Sequence, residues 1–146
     1  MISKRNIIKY KDTAADMMFT VIGISSHEND FRLSWSINEE LGLSFARNDE
    51  NLETGDGQEF TYFVHQDEDK CLALISNRCE NGFLIEKHKN LDFLLKFNTE
   101  LNEEETAEWI KKLRNVTLIS ASFKIQADKK IMQMIEMCSD VCSSSF

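Results

Sequence analysis

The chain has 146 residues, of which 42% are hydrophobic, 29% charged and 10% aromatic, a composition that fits neither a disordered nor a membrane-spanning protein. Its 17 basic and 25 acidic residues give a formal net charge of −8, which argues against a protein built mainly to grip nucleic-acid phosphates. No apolar run is long enough for a secretory signal or a membrane span. We therefore expect a cytoplasmic protein with reduced thiols.

The first predicted elements are a strand and a helix. Met18 to Ser25 is rich in β-branched and aromatic residues, which favours a strand. The next segment predicts a helix that starts at Asn29 or at a Ser25–Glu28 capping box and ends at Gly42. Its apolar residues recur every four positions, which predicts that most of the helix is buried; they are Phe31, Leu33, Trp35, Ile37 and Leu41.

The middle of the chain predicts strands separated by polar turns. Residues 48–59 contain five acids and two glycines and predict a loop, and the Asn81-Gly82 dipeptide predicts a hairpin turn. The predicted strands are Leu43–Arg47, Phe60–Val64, Cys71–Asn77, Phe83–Ile85 and Leu91–Phe97. Phe60–Val64 and Cys71–Asn77 are expected to form an antiparallel hairpin.

The last third predicts a helix, a strand and a helix. Asn102 and Glu105 have the spacing of a capping box, and the helix that follows carries an apolar stripe. Val116–Ile125 alternates like a strand, and a third helix is expected from Asp128 to about Cys138. We predict an α+β fold with an antiparallel sheet of about five to seven strands and about three helices, packed mainly on one face. The domain is expected to span 1–146, with a basic arm at 1–16 and a frayed tail at 139–146.

No motif of catalysis, metal binding or cofactor binding can be assembled from the sequence. The glycines lack the spacing of a phosphate-binding loop, the cysteines form no CxxC pair, and the three histidines are scattered. Residues 49–60 lack the glycine and the final glutamate of a calcium loop. Ser25, Ser26 and His27 are adjacent, but the serines suit helix capping better than catalysis. We therefore expect no cofactor, no metal and no catalytic residue.

Several charged residues lie beside apolar positions and need partners. In one interpretation they form structural ion pairs; the candidates are Arg32, Arg78, Asp92 and Asp30, with Glu28 as a further acid. In the other interpretation, four side chains converge on a pocket for an anion, a peptide or a small ligand; they are Arg32, Asn38, Asn77 and Arg78.

Three hypotheses for the function follow. The first is a non-catalytic protein-interaction module that docks through an exposed sheet edge or through the terminal helix with Met132, Met134 and Met137. The second is a ligand-binding protein or enzyme that uses the four-residue pocket. The third is an RNA-associated accessory protein that uses the basic arm. We favour the first hypothesis and expect a protein partner, as yet unidentified, and no membrane association. We do not expect nucleic acid to be the main partner, and the oligomeric state is left open.

Two segments, Ile24–Leu43 and Asn77–Phe93, resemble a bacterial family named for its IPExxxVDY signature. Ile85 to Phe93 has the nine-residue spacing of that signature, with Ile85 and Asp92 matching it and Leu91 and Phe93 as conservative replacements. Glu86 and Lys87 stand where the family has proline and glutamate, so no role of that pair carries over. The resemblance implies a short cytosolic protein without an assigned activity. The resemblance also implies candidate partners, because genes of this family often lie beside the genes for ribonuclease III and pyruvate kinase.

Overall fold

A computed structural model describes residues 19–126, 128–136 and 138. Over these residues the chain forms three α-helices, a six-stranded antiparallel sheet and two short hairpins. The α+β class predicted from the sequence is confirmed. The basic arm, the tail and Met137 lie outside the described residues.

The strands and helices alternate irregularly along the chain. The strands are β1 Val21–Ser25, β2 Ala46–Arg47, β3 Leu52–Glu53, β4 Glu59–Phe60, β5 Tyr62–Gln66, β6 Cys71–Ser76, β7 Arg78–Cys79, β8 Gly82–Phe83, β9 Phe93–Phe97 and β10 Ala121–Ile125. The helices are α1 Asp30–Leu41, α2 Glu103–Arg114 and α3 Lys129–Glu136, with a 3₁₀ turn at Glu86–His88.

The large sheet has the order β10-β1-β9-β6-β5-β2, and every neighbouring pair is antiparallel. The predicted hairpin is present as β5 and β6, and Asn81-Gly82 lies at the turn between β7 and β8. The strands β3 and β4 form a short hairpin over residues 52–60. The prediction that residues 48–59 form only a loop is therefore wrong, because Leu52 and Phe60 are buried and hold the segment against the core.

Each face of the sheet carries a hydrophobic core cluster. Helices α1 and α2 pack on one face, where they bury Leu33, Ile37 and Leu113. Helix α3 packs on the opposite face through Met132 and Ile135. Two of the three helices thus share a face, and β9, whose residues alternate between the two clusters, lies between both layers.

The helix ends follow from local chemistry. Asn29 caps α1 by accepting a hydrogen bond from the Arg32 N–H at 2.9 Å, so the alternative Ser25–Glu28 box is not used. Gly42 ends α1 in the left-handed conformation, with φ of 69°, which glycine adopts without steric cost. Asn102 and Glu105 form the predicted reciprocal capping box of α2.

Two further expectations are corrected. Residues 116–119 form turns rather than the start of a strand, so β10 begins only at Ala121. Cys71 is disulfide-bonded, whereas Cys79 and Cys138 form no disulfide. The expectation of reduced thiols is therefore wrong at Cys71.

Candidate functional site

The exposed surface of α1 carries two large aromatic side chains. Phe31 is 61% and Trp35 63% exposed, and they are the only large hydrophobic residues so exposed in the described part of the chain. They lie one helical turn apart. The Phe31 ring meets the ring of buried Phe63 edge-on, with centroids 5.4 Å apart, so its orientation is fixed while most of its surface faces solvent.

The two aromatic residues are exposed because α1 has two apolar stripes and only one can face the sheet. Leu33 and Phe31 are separated by about 200° around the helix. The sheet takes the stripe with Leu33 and Ile37, and the small residues beside them, Ser34 and Ser36, are also buried. The prediction that most of α1 is buried is therefore wrong for Phe31 and Trp35.

Charged residues surround the aromatic pair. Arg32 forms an exposed ion pair with Glu28, with Nε and Oε1 3.0 Å apart. Glu39 is exposed one turn after Trp35. We name the exposed surface formed by Phe31, Arg32, Trp35 and Glu39 the outward stripe of α1.

A cavity of about 370 Å³ opens at the N-terminal end of α1. Its charged lining consists of Glu28, Asp30, Asp92 and Arg78. The Arg78 guanidinium forms an ion pair with the nearly buried carboxylate of Asp92, whose other oxygen accepts the Ser26 N–H at 2.7 Å. Asp30 accepts a hydrogen bond from the Thr61 hydroxyl at 2.6 Å. With three carboxylates and one guanidinium, this lining favours cations over anions.

The two asparagines proposed as ligand residues hold main chain instead. Asn77 is fully buried. Its amide donates to the carbonyl oxygens of His88 and Leu91 at 3.0 and 2.9 Å and accepts the Ile85 N–H at 2.8 Å. Asn38 makes a reciprocal pair of bonds with the main chain of Phe45, at 3.1 and 2.8 Å. Neither amide is presented to a ligand.

The structure does not bring the four predicted pocket residues into one cavity. Of the four, only Arg78 lines the cavity beside α1, and it is paired with Asp92. Arg32 is exposed and paired with Glu28, while Asn38 and Asn77 bond main chain elsewhere. The ion-pair interpretation describes both arginines, although Asp30 pairs with a hydroxyl rather than with a guanidinium.

Sequence reasoning missed a chain of hydrogen bonds from Ser44 through His65 to Asp67. The Ser44 N–H donates to His65 Nδ1 at 3.0 Å, the Ser44 hydroxyl lies 3.1 Å from the same atom, and His65 Nε2 lies 3.0 Å from Asp67 Oδ2. The bond from His65, followed by the Asp69 N–H, lowers the pKa of the Asp67 carboxyl from its usual 3.8 to about 2. The nearness of His65 and Asp67 was visible in the sequence, whereas the long-range contact with Ser44 was not.

This chain of bonds lacks the donors that acyl transfer requires. A serine nucleophile needs free N–H groups to hold the oxyanion. The Ser44 N–H is bonded to His65, and the next N–H, that of Phe45, is bonded to Asn38 Oδ1 at 2.8 Å. The arrangement therefore fastens the segment after α1 to β5 and offers no assembled catalytic centre.

A larger cavity of about 590 Å³ lies on the opposite face of the sheet. It is bounded by the turn between β3 and β4, by residues 83–88 and by the first turns of α3. The start of the segment that resembles the family signature, Ile85–His88, lines this cavity, and its end, Asp92 and Phe93, lines the smaller one. Its lining mixes apolar side chains with charged side chains of both signs, so it selects no ligand class.

The described parts of the sheet edges and of α3, which were first expected to dock a partner, present little free surface. At the β10 edge, the Arg114 guanidinium donates to the Ser122 carbonyl at 3.0 and 3.3 Å. At the other edge, β2 is only two residues long, and short or covered edges resist strand addition. In α3, Met132 is buried and Met134 packs against the core.

Metal-binding groups, membrane-spanning helices and sequence relatives do not point to a function either. No group of three or more histidine, cysteine or acidic side chains among the described residues could hold a metal ion. No described helix has the length and apolarity to cross a bilayer. Neither a protein-family model nor a curated protein matches the sequence. The resemblance to the IPExxxVDY family therefore stays a prediction.

Proposed function

We propose that the protein is a non-catalytic protein-interaction module and that its partner docks on the outward stripe of α1. The observation that carries this proposal is the exposure of Phe31 and Trp35, one turn apart on a rigid helix. Tryptophan is among the residues that contribute most to binding at protein interfaces, since it buries a large area at a low entropic cost. Isolated exposed apolar residues need no explanation, whereas two adjacent exposed aromatic side chains form one contiguous apolar patch, which supports a role in docking.

The position of the stripe supports the proposal. The helix is held on its inner side by Leu33 and Ile37, so docking would not require rearrangement of the core. The sheet edges and the described part of α3 offer less free surface for docking. Arg114 bonds main chain at one edge, β2 at the other edge has only two residues, and α3 packs on the core. The ligand-binding alternative loses support because its four residues do not converge, and the RNA alternative rests on the basic arm, which lies outside the described residues.

Site-specific photo-crosslinking tests this function. A benzoyl-phenylalanine replaces Trp35 in the native host, and the control places it at Glu108, which is exposed on α2. We expect a discrete crosslinked protein from position 35 that is absent from position 108 and is lost when Phe31→Ser is added. Identical crosslinks at both positions, or none at position 35, would contradict the proposal. The same experiment checks ribonuclease III and pyruvate kinase, the candidates implied by the resemblance.

We also propose a cytoplasmic location, on the basis of the sequence alone. The disulfide at Cys71 counts against it, since disulfides are rare in the cytosol. Cell fractionation combined with alkylation of free thiols in intact cells decides between the cytoplasm and an oxidising compartment.

A further inference from the structure

We infer that the partner contributes a cationic amphipathic helix, whose apolar residues cover Phe31 and Trp35 and whose basic residues meet carboxylates at both ends of the outward stripe. This inference rests on the proposed function and adds the chemistry of the partner.

The charges around the aromatic pair leave carboxylates in excess. Arg32 is neutralised by Glu28, whereas Glu39 has no cation paired with it among the described residues. Because Trp35 and Glu39 are four residues apart, a basic side chain placed over the indole would also lie within reach of the Glu39 carboxylate. The C-terminal end of the stripe thus favours lysine or arginine.

The N-terminal end of the stripe has the same preference. Next to Phe31, the small cavity combines the carboxylates of Glu28, Asp30 and Asp92 with the guanidinium of Arg78. Because Glu28 is paired with Arg32 and Asp92 with Arg78, the carboxylate of Asp30 is left in excess. The whole chain carries −8. Both the local and the overall charge therefore attract a basic partner and repel an acidic one.

The geometry favours a helix over an extended segment. An added strand needs free main-chain groups along a sheet edge, and the Ser122 carbonyl at the β10 edge is bonded to Arg114. Side chains spaced by one helical turn, as in Phe31 and Trp35, instead form the ridge that a second helix packs against. The partner would then present apolar residues at i, i+3 or i+4 and i+7.

A second copy of the chain does not suit this surface. The exposed parts of one phenylalanine and one tryptophan amount to roughly 250 Å², an area that suits a weak, transient contact with a single helix and lies well below the ~800 Å² per partner of a stable dimer interface. A pair of copies would also bring together two chains that each carry a net charge of −8. Like net charges oppose association.

The test measures the binding of two labelled helical peptides by fluorescence anisotropy at about 50 mM salt, where surface charges are weakly screened. Both peptides carry the same leucine stripe; one has lysine at every flanking position and the other has glutamate. We expect the lysine peptide to bind at least about tenfold more tightly than the glutamate peptide. Trp35→Ser should weaken binding of the lysine peptide by about tenfold or more.

Charge variants separate a local effect from the overall field. Glu39→Lys should weaken binding of the lysine peptide about threefold to tenfold, as expected for the loss of one surface ion pair next to a cation–π contact. Glu108→Lys, the matched change on α2, should alter it less than about twofold. Equal effects of the two variants would overturn the inference, because binding would then follow net charge alone.

The remaining outcomes are also decisive. Tighter binding of the glutamate peptide, or a Trp35-dependent dimer in sedimentation experiments, overturns the cationic-helix inference. If neither peptide binds while position 35 still crosslinks to a protein in cells, the inference on partner chemistry fails and the proposed function stands. If the crosslink is absent as well, both fail.

Discussion

Asn77 illustrates how a single buried side chain organises a long segment of main chain. Its three bonds to Ile85, His88 and Leu91 fix the path between β8 and β9. In one of the two interpretations of the sequence, this polar residue at the end of an apolar strand contacts a ligand. Whether such an amide faces a ligand or the main chain depends on residues eight to fourteen positions later, which local sequence does not reveal.

Asn77→Ala is expected to lower the free energy of unfolding by about 2–4 kcal/mol, because it removes the side-chain partner of two buried main-chain groups, the Ile85 N–H and the Leu91 carbonyl. Urea unfolding measures the change. Asn90→Ala, at an exposed position in the same segment, should change it by less than about 0.5 kcal/mol. Equal effects of the two substitutions would show that the Asn77 bonds do not hold the segment.

Gly23→Ala is expected to destabilise the protein by about 1–3 kcal/mol through overpacking. A Cβ at position 23 would lie 2.5 Å from Leu91 Cδ1 and 3.1 Å from Ile125 Cγ2, and both side chains are buried. In a double-mutant cycle, Leu91→Ala should remove most of this cost, since the alanine at 23 then has space. Additive effects would rule out the contact as the cause.

Asp67 gives the unfolding free energy a defined pH dependence. Its pKa is depressed to about 2 in the folded protein, so its ionised form stabilises the fold above pH ~4, and this contribution is lost as the pH falls toward 2. We expect the stability difference between wild type and Asp67→Asn to be constant above pH ~5 and to shrink below pH ~4. Urea unfolding across this range, with Asp69→Asn as control, measures it; a constant difference would contradict the assignment.

At the scale of elements, predictability depended on how local the determining contacts are. The capping box of α2 involves two residues three positions apart, and it was predicted and is present. The sequence of α1 contains two apolar stripes, and the sequence of the helix alone does not indicate which of them faces the sheet. The choice depends on packing against the sheet, which the local sequence does not reveal, and the exposure of Phe31 and Trp35 was missed for this reason.

The two faces of α1 should respond differently to substitution. Leu33→Ala and Ile37→Ala are each expected to cost about 2–5 kcal/mol of unfolding free energy, since they open cavities in the core. Trp35→Ser should cost less than about 1 kcal/mol because the indole is exposed. Thermal or chemical unfolding of the three variants provides the comparison. A large loss at Trp35 would show that its role is structural.

At the scale of the whole molecule, sheet order was the least accessible feature. The hairpin of β5 and β6 is local and was predicted. The placement of β1 between β9 and β10 joins strands that are about seventy and a hundred residues away from it, and such pairings follow from the packed core rather than from sequence patterns.

The protein is expected to be a monomer in solution at concentrations of about 100 μM. Its net charge of −8 opposes self-association, and the exposed aromatic area is small for a stable dimer. Sedimentation velocity at increasing concentration tests this expectation. A dimer that persists in Trp35→Ser would point to a surface other than the outward stripe.

The central position of β9 determines which amides report on global unfolding. Strands β1 and β6 flank it, and both layers of the molecule cover its side chains. Because fraying at the sheet edges leaves this strand paired on both sides, we expect the Leu94 and Leu95 amides to exchange with deuterium only when the whole fold opens. Their exchange rates, followed by NMR, would therefore give the global free energy of unfolding without denaturant and would register a bound partner as a slowing of exchange.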